Sequence, residues 1–238
     1  MAACRDADAL KRALFAAFGA AAIYSVTACV VEALPMLPFL RALPTLLLVA
    51  AAALWSRPDY GWRIALGLFC GAWGDYFLAS ASRDWFLAGL GAFLLGHVFY
   101  IAAFAFRRRV TGPRLAVTAA TTATVAVLTI LVALRLAAAG ETRLVLPVTA
   151  YSLVIVAMAG AAMLHETTTP LVAAGALVFV LSDAHIAVNH LLRDSPLLAL
   201  SVSGYATYYL GQGLIAAGAV SGSHSWGARA GRSDFAQR

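Results

Sequence analysis

Residues 170–191 read PLVAAGALVFVLSDAHIAVNHL, an apolar stretch with a single carboxylate, Asp183, inside it. A helix rises about 1.5 Å per residue, so a stretch of this length covers the roughly 30 Å hydrocarbon core of a bilayer. An ionised Asp in the middle of a membrane costs at least about 2.5 kcal/mol on insertion scales. The stretch therefore predicts a transmembrane helix in which Asp183 has a specific partner or role.

The rest of the chain has the same character. Of its 238 residues, 62% are hydrophobic and 12% are charged, and the connections between apolar stretches are too short for a soluble module. We predict an all-α fold, a polytopic membrane bundle of eight transmembrane helices, because eight stretches are long enough to cross the bilayer. The bundle forms one domain, residues 1–220, and a disordered cytoplasmic tail, residues 221–238, follows it. The predicted spans are 12–31, 37–55, 62–80, 85–106, 115–137, 143–164, 170–191 and 197–220.

Positive charge is distributed unevenly between the two sides of this bundle. The net charge is +6, and of the 17 Lys and Arg residues twelve fall on the side of the amino terminus and five on the other. Short loops rich in Lys and Arg stay in the cytoplasm. Both termini are therefore predicted to be cytoplasmic, and RRRVTGPR at 107–114 is the strongest anchor. The position of these arginines beside the membrane explains them without nucleic-acid binding, which we do not expect.

Cysteine and histidine spacing gives no sign of a metal or disulfide framework. Cys4, Cys29 and Cys70 show no Cys-x-x-Cys or Cys/His ligand pattern. His97 and His190 could combine with an Asp as zinc ligands, but no His-x-x-x-His pairing supports such a site. We expect no metal and no cofactor.

A second carboxylate, Asp75, lies in the third span within GAWGDYFLAS at 71–80. Asp75 and Asp183 are each the fourteenth residue of their spans, and those two helices run in the same direction. Both carboxylates are thus expected at one depth, roughly 20 Å from the cytoplasmic end. Matched depth favours one shared site. The alternative is that each Asp accepts hydrogen bonds from a neighbouring helix and only fixes packing.

The surroundings of the two carboxylates correspond as well. A Gly precedes each Asp by eight residues and a Tyr follows each by twenty-five. This spacing predicts two parallel four-helix halves related by an axis normal to the membrane. The matched pairs are Gly67 with Gly175, Asp75 with Asp183, and Tyr100 with Tyr208.

Further polar side chains are expected near the same depth. In the fourth span His97 and Tyr100 lie three residues apart and share a helix face. In the eighth span Tyr205, Tyr208 and Gln212 form one stripe along the helix. An aromatic belt at the membrane interface would explain single tyrosines, but this stripe continues to the middle of the helix and favours a pocket lining. Arg41 opens the second span, where it could snorkel to the interface or hold a phosphate. The candidate binding residues are Arg41, His97, Tyr100, Asn189, Tyr208, Tyr209 and Gln212.

Five segments in order along the chain carry a family resemblance: GDYFL (74–78), GHVFYIAAF (96–104), LPVTAY (146–151), GALVFVLSDAHIAVN (175–189) and TYYLGQ (207–212). With them the chain, from about residue 20 to 220, resembles the YhhN-like family of membrane proteins, the lysoplasmalogenases. It departs from the family at Arg41, where Lys is usual, and at Gly211, where Ala is usual. The first change keeps the charge, and the second slightly enlarges the site.

The resemblance implies hydrolysis of the vinyl ether bond of lysoplasmalogens, lyso-plasmenylethanolamine or lyso-plasmenylcholine, to a fatty aldehyde and a glycerophospho head group. LPVTAY looks closer to the animal branch of the family, which favours the endoplasmic reticulum; a bacterial inner membrane is the alternative. The expected partner is a lysophospholipid within the membrane, and the sequence is compatible with a homodimer.

Vinyl ether hydrolysis needs an acid that protonates carbon, a negative neighbour for the resulting cation and a base for water. A pair of carboxylates can fill these roles, as in glycoside hydrolysis. We therefore expect Asp75 and Asp183 to be catalytic, one protonated and one ionised, with either assignment open. The main alternative is a proton- or cation-coupled transporter that uses the same two residues. An aspartyl protease fits less well, because only Gly74-Asp75 matches its signature.

Overall fold

The structure, a computed structural model, describes residues 2–31, 34, 37–79, 83–105, 108–166 and 169–221. Within these residues it is all-helical, with eight α-helices, as predicted. Of the predicted tail, residues 221–238, Ser221 is the last residue of a helix, and the rest lies outside the described residues. The helices are α1 Ala2–Thr27, α2 Pro38–Trp55, α3 Pro58–Leu78, α4 Arg83–Phe104, α5 Gly112–Ala138, α6 Thr142–Leu164, α7 Leu171–Ile186, which a π-helical turn extends over Ala187–Leu191, and α8 Leu198–Ser221.

Local sequence explains where several helices begin. Pro occupies the first turn of α2, α3 and α5, and the residue before each of these helices is extended. Pro suits a first turn, where its missing N–H has no intrahelical acceptor. In α2 and α3 Pro is the first helical residue and also drives the residue before it out of the helical region. At the other end of α5, Gly140 has a φ of +76°, which lets the chain turn directly into α6. α1 begins ten residues earlier than the predicted span, because its charged first segment is also helical.

Six of the helices in the described part of the chain, α1, α2, α4, α5, α6 and α7, are long and apolar enough to cross a membrane. α3 and α8 have comparable lengths, 21 and 24 residues, and also carry polar side chains. Several of these are turned inward: Asp75, Tyr208 and Gln212 are all buried. The protein is therefore an integral membrane bundle in which α3 and α8 supply polar groups to the interior.

The helices pack in an order that supports the predicted relation between two halves. α1 packs on α2, α2 on α3 and α3 on α4, and in the second half α5 packs on α6, α6 on α7 and α7 on α8. The halves meet through α4 against α6 and through α8 against α2. These two contacts correspond to each other, because α4 is equivalent to α8 and α6 to α2 in the predicted repeat. Six helices thus form a closed ring, with α1 and α5 outside it.

Glycines bring the backbones of α7 and α8 into contact. A Cβ placed on Gly175 would lie 2.8 Å from the carbonyl oxygen of Gly211 and 2.8 Å from the backbone nitrogen of Ile215. Both neighbours are backbone atoms of a helix, which cannot move aside without shifting α8. Close approach of backbones at small residues is a main source of helix association in membranes.

Gly175→Ala is therefore expected to destabilise the bundle by about 1–3 kcal/mol, the usual cost of overpacking. The measurement is the thermal unfolding temperature of the purified protein in detergent. Gly91→Ala in α4 is the matched control, because a Cβ there meets no atom within 4 Å. An unfolding temperature that falls equally in both variants would contradict the close contact between α7 and α8.

Candidate active site

A cavity of about 970 Å³ occupies one end of the bundle, and both Asp75 and Asp183 line it. Its walls come from the carboxyl-terminal ends of α3, α5 and α7 and from the amino-terminal ends of α2, α4, α6 and α8. The charge distribution predicts that this end faces away from the cytoplasm. The carboxylates of the third and seventh helices thus share one compartment, although they lie in different halves of the chain.

Asp75 is buried, and two hydroxyl groups donate to the same carboxylate oxygen. Thr45 of α2 and Tyr208 of α8 each place their oxygen 2.8 Å from Oδ2 of Asp75. Hydrogen bonds to a charged acceptor are stronger than neutral ones, so the two donors fix the carboxylate and stabilise negative charge on it.

A row of hydrogen bonds continues behind Tyr208. The Tyr100 hydroxyl donates to Oε1 of Gln212 over 2.6 Å, and Nε2 of Gln212 donates to the Tyr208 hydroxyl over 3.4 Å. Every donor in this row points toward Asp75, an arrangement in which neighbouring hydrogen bonds strengthen one another. Gly71 leaves room for the row, since a Cβ there would lie 2.9 Å from Nε2 of Gln212.

Asp183 is held by one hydroxyl donor. Tyr151 of α6 donates to Oδ2 of Asp183 over 2.6 Å. The ring of His97 lies edge-on against Tyr151, with 5.4 Å between ring centroids, and edge-on against Phe179 at 4.9 Å. Nδ1 of His97 lies 2.6 Å from the carbonyl oxygen of Phe93, while its Nε2 is buried without a hydrogen-bond partner among the described residues. His97 thus forms part of the wall behind Tyr151.

Arg41 supplies a positive charge to the cavity close to Asp75. Its guanidinium lies 4.7 Å from the ring centroid of Tyr205 and donates to the carbonyl oxygen of Leu78 over 3.2 Å. That carbonyl belongs to the last turn of α3, where the helix dipole favours a cation. The hydroxyl of Tyr209 donates to the backbone oxygen of Arg41 over 2.9 Å and fixes this part of α2. A guanidinium has five N–H donors, so this contact leaves donors for an anionic ligand.

The predicted site residues divide into two groups. Arg41, Asn189 and Tyr208 line the cavity together with both aspartates. The side chains of His97, Tyr100, Tyr209 and Gln212 lie behind that lining and contact it through the hydrogen bonds and ring packing given above.

Asn189 has a structural task in addition to lining the cavity. Its Nδ2 donates to the Ser201 hydroxyl over 2.9 Å, and its Oδ1 accepts the backbone N–H of Leu197 over 2.6 Å. It lies in the π-helical turn that follows Asp183, and such turns often occur at functional sites. The side-chain amide of Asn189 thus holds the start of α8 against the end of α7 through two hydrogen bonds.

The sequence did not indicate Thr45 or Tyr151 as site residues. Tyr205, the first residue of the predicted stripe in α8, lines the cavity as that stripe predicted. Tyr151 is the last residue of the segment LPVTAY, so a signal was present, but nothing in the sequence indicated that α6 faces α7 at this level. Thr45 lies one turn after Arg41, which would place it on the same face of α2. Among the described residues, no three His, Cys, Asp or Glu side chains converge as a metal site would require.

Comparison with known proteins identifies the family. The model of the YhhN family matches residues 36–219. Two curated relatives, from Mycobacterium bovis and Mycobacterium tuberculosis, both carry the name lysoplasmalogenase. Each is 31% identical over 185 residues, which cover 76% of this chain and 69% of the relative. No solved structure matches. The chain, with its paired carboxylates in one membrane cavity, belongs to the YhhN family.

Proposed function

We propose that this protein is a lysoplasmalogenase, which hydrolyses the vinyl ether bond of a lyso-plasmenylethanolamine or lyso-plasmenylcholine to a fatty aldehyde and a glycerophospho head group. The name of its two relatives supports the substrate class. The observation that carries the proposal is that Asp75 and Asp183 line one cavity inside the membrane. A lysolipid already resides in the bilayer, so no soluble domain is needed to reach it.

The reaction can proceed with these two groups and water. A protonated aspartic acid gives its proton to the alkene carbon remote from oxygen, which leaves an oxocarbenium ion at the other carbon. Water attacks that carbon and passes a proton to the ionised aspartate, which yields a hemiacetal. The hemiacetal hydroxyl then returns a proton to the first carboxylate, and the ether oxygen takes the proton of the second. The carbon–oxygen bond breaks, and both carboxyl groups regain their initial states.

We assign the acid role to Asp183 and the ionised role to Asp75. Two hydroxyl groups converge on one oxygen of Asp75 and the Arg41 guanidinium lies in the same cavity; both features stabilise a negative charge. Asp183 receives one hydroxyl donor, from Tyr151. In infrared spectra the carbonyl band of a protonated carboxylic acid should disappear in Asp183→Asn and persist in Asp75→Asn. The opposite pattern would reverse the assignment.

The activity is tested with purified protein in detergent micelles and a lysoplasmalogen, with aldehyde release as the measurement. The matched control substrate is the saturated alkyl-ether analogue, which has no alkene to protonate and must remain intact. An enzyme releases aldehyde without any ion gradient. Failure to cleave the vinyl ether, together with gradient-driven flux after reconstitution into liposomes, would favour the coupled transporter instead.

Arg41 is proposed to bind the phosphate of the substrate. Arg41→Gln is expected to raise KM for a lysoplasmalogen by about 10- to 100-fold, since a hydrogen bond to a charged group contributes about 1.5–3 kcal/mol. Arg41→Lys keeps the positive charge and should raise KM less than Arg41→Gln does. The discriminating substrate is an alkenylglycerol that lacks the phosphate, for which KM should be the same in wild type and Arg41→Gln. An equal rise in KM for both substrates would show that Arg41 only supports the fold.

For orientation, we propose that both termini lie in the cytoplasm, on the basis of the arginine distribution. Labelling of tags at either end with a membrane-impermeant reagent tests this orientation.

Two compartments are proposed: the endoplasmic reticulum, which the LPVTAY segment favours, and a bacterial inner membrane. Both relatives come from bacteria, which supports the second.

A further inference from the structure

Away from the two carboxylates, the cavity extends into an apolar region between α4, α5 and α6, which we call the side chamber. Its lining includes two residues of α4, three of α5 and one of α6, and all of them also belong to the cavity that holds Asp75 and Asp183. The residues that define the side chamber are Phe86, Leu90, Val125, Leu128, Val132 and Val148.

The α5 wall of the side chamber is a regular helical stripe. Val125, Leu128 and Val132 recur at the spacing of one helix face, and Thr129 lies on the same face. The Thr129 hydroxyl donates to the carbonyl oxygen of Val125 over 2.7 Å, so it is satisfied within the helix and presents no free donor to the chamber. α5 therefore offers an apolar surface to the interior.

The opposite face of α5 is also apolar and looks outward. Val127 and Ile130 are each 59% exposed on the surface of the bundle. α5 is thus a wall one helix thick, apolar on both sides, between the side chamber and the surrounding bilayer.

The helix packing leaves α5 separated from α4. α4 packs on α3 and α6, and α5 packs on α6, α7 and the π-helical turn, but α4 and α5 form no extensive interface in the part of the chain that the structure describes. α4 meets α6 at the level of His97 and Tyr151. Nearer the predicted non-cytoplasmic end, residues of α4 and α6 line the cavity instead of meeting each other. The side chamber therefore faces the bilayer between α4 and α5.

Depth along α5 matches the dimensions of a lysolipid. Val125 lies seven residues before Val132, about 10 Å deeper into the membrane at 1.5 Å per residue. Arg41 and Asp75 lie close to the last turn of α3, so polar groups line one end of the cavity and apolar side chains extend from it toward the middle of the bilayer. The total volume is near the upper end of the roughly 300–1,000 Å³ seen for ligand cavities.

We propose that the side chamber holds the hydrocarbon chain of the lysolipid, that the chain enters sideways between α4 and α5, and that the chamber face of α5 sets chain-length selectivity. The inference rests on the proposed function. The head group lies at Arg41, the vinyl ether lies between the carboxylates, and the chain runs along Val132 and Leu128 to Val125. A bulky side chain at the deep end of this path obstructs long chains and leaves short ones in place.

Val125→Trp tests the path. The ratio of kcat/KM for an octadecenyl lysoplasmalogen to that for an octenyl one should fall at least about 10-fold, a discrimination that apolar pockets commonly reach. Val127→Trp is the matched control on the lipid-facing side of the same helix, and its ratio should equal that of wild type. A ratio that is unchanged in Val125→Trp, or that falls equally in both variants, would overturn the proposal.

Photo-crosslinking of the wild-type protein in nanodiscs supplies a measurement that needs neither a variant nor turnover. The probe is a saturated alkyl-ether lysophospholipid with a diazirine near the end of its chain. Labels on the chamber face of α5 around Val125 would support the proposal. Labels confined to the outward face at Val127 and Ile130, or to helices that do not border the chamber, would overturn it. If the chamber is labelled but no lysoplasmalogen is cleaved, the proposed function fails while the chain site stands. If aldehyde is released but the labels lie elsewhere, the chain site fails while the proposed function stands.

Discussion

Asp183→Asn is expected to reduce aldehyde release by about 10²- to 10⁴-fold, the range over which a positioned acid or base contributes to a reaction. Asn has nearly the same shape as Asp, and its amide oxygen can still accept the 2.6 Å hydrogen bond from Tyr151. The variant should therefore fold and bind substrate. It cannot give a proton to the alkene carbon, so the first step of the reaction loses its acid. The measurement is the initial rate of aldehyde release at saturating substrate.

The control for this prediction is another acidic residue outside the cavity. Asp194 forms an ion pair with Arg135 at the surface, and its side chain is 91% exposed. Asp194→Asn removes the same charge from the chain and should leave the rate unchanged, since exposed ion pairs contribute little. Turnover near the wild-type rate in Asp183→Asn would remove that residue from the mechanism.

Tyr151→Phe should give an intermediate loss of about 10-fold or more, because the carboxyl group of Asp183 keeps its proton but loses the donor that orients it. The loss should appear in kcat with little change in KM if Tyr151 acts only by positioning Asp183. Tyr24→Phe, at a tyrosine of α1, is the control. An equal loss of kcat in that variant would indicate that the loss in Tyr151→Phe comes from general destabilisation.

The sequence was sufficient for the fold because continuous apolar stretches of this length have few other structures available to them. Each predicted span overlaps one helix, although α1 begins ten residues earlier than its span, and the short connections leave only antiparallel neighbours. The equal depth of Asp75 and Asp183 stays a prediction, which rests on residue count along two helices that run in the same direction.

The partners of the carboxylates could not be predicted in the same way. A helix that is apolar on all sides gives no periodic signal for the face that meets its neighbours, because lipid and protein interior are equally apolar. Thr45 and Tyr151 acquire their positions from the rotation of α2 and α6, which their own sequences do not specify. The helix stripe also did not show where the cavity ends. Gln212 shares a stripe with Tyr208, but the cavity ends at Tyr208, and Gln212, one turn further along α8, is buried behind it.

The second large effect is expected at the other carboxylate. Asp75→Asn should also lower aldehyde release by about 10²-fold or more, but for a different reason. The ionised Asp75 stabilises the cation that forms after protonation and then accepts a proton from water, and a neutral amide does neither. Asn can also turn an NH₂ group toward Thr45 and Tyr208, whose hydroxyls both donate to Oδ2 in the wild type. Both hydroxyls must then rotate or lose their acceptor.

The kinetic signature distinguishes this role from a structural one. Because the positive charge exists only after protonation, the loss in Asp75→Asn should appear in kcat while KM changes little. Tyr208→Phe and Thr45→Val each remove one donor from the carboxylate, and each should lower kcat by about 10- to 100-fold, as expected for a hydrogen bond to a charged group. If Asp75 only held the helices together, all three variants would instead lower the unfolding temperature in proportion to their loss of activity. A full rate in well-folded Asp75→Asn protein would leave the cation without a protein counter-charge and would exclude the two-carboxylate mechanism.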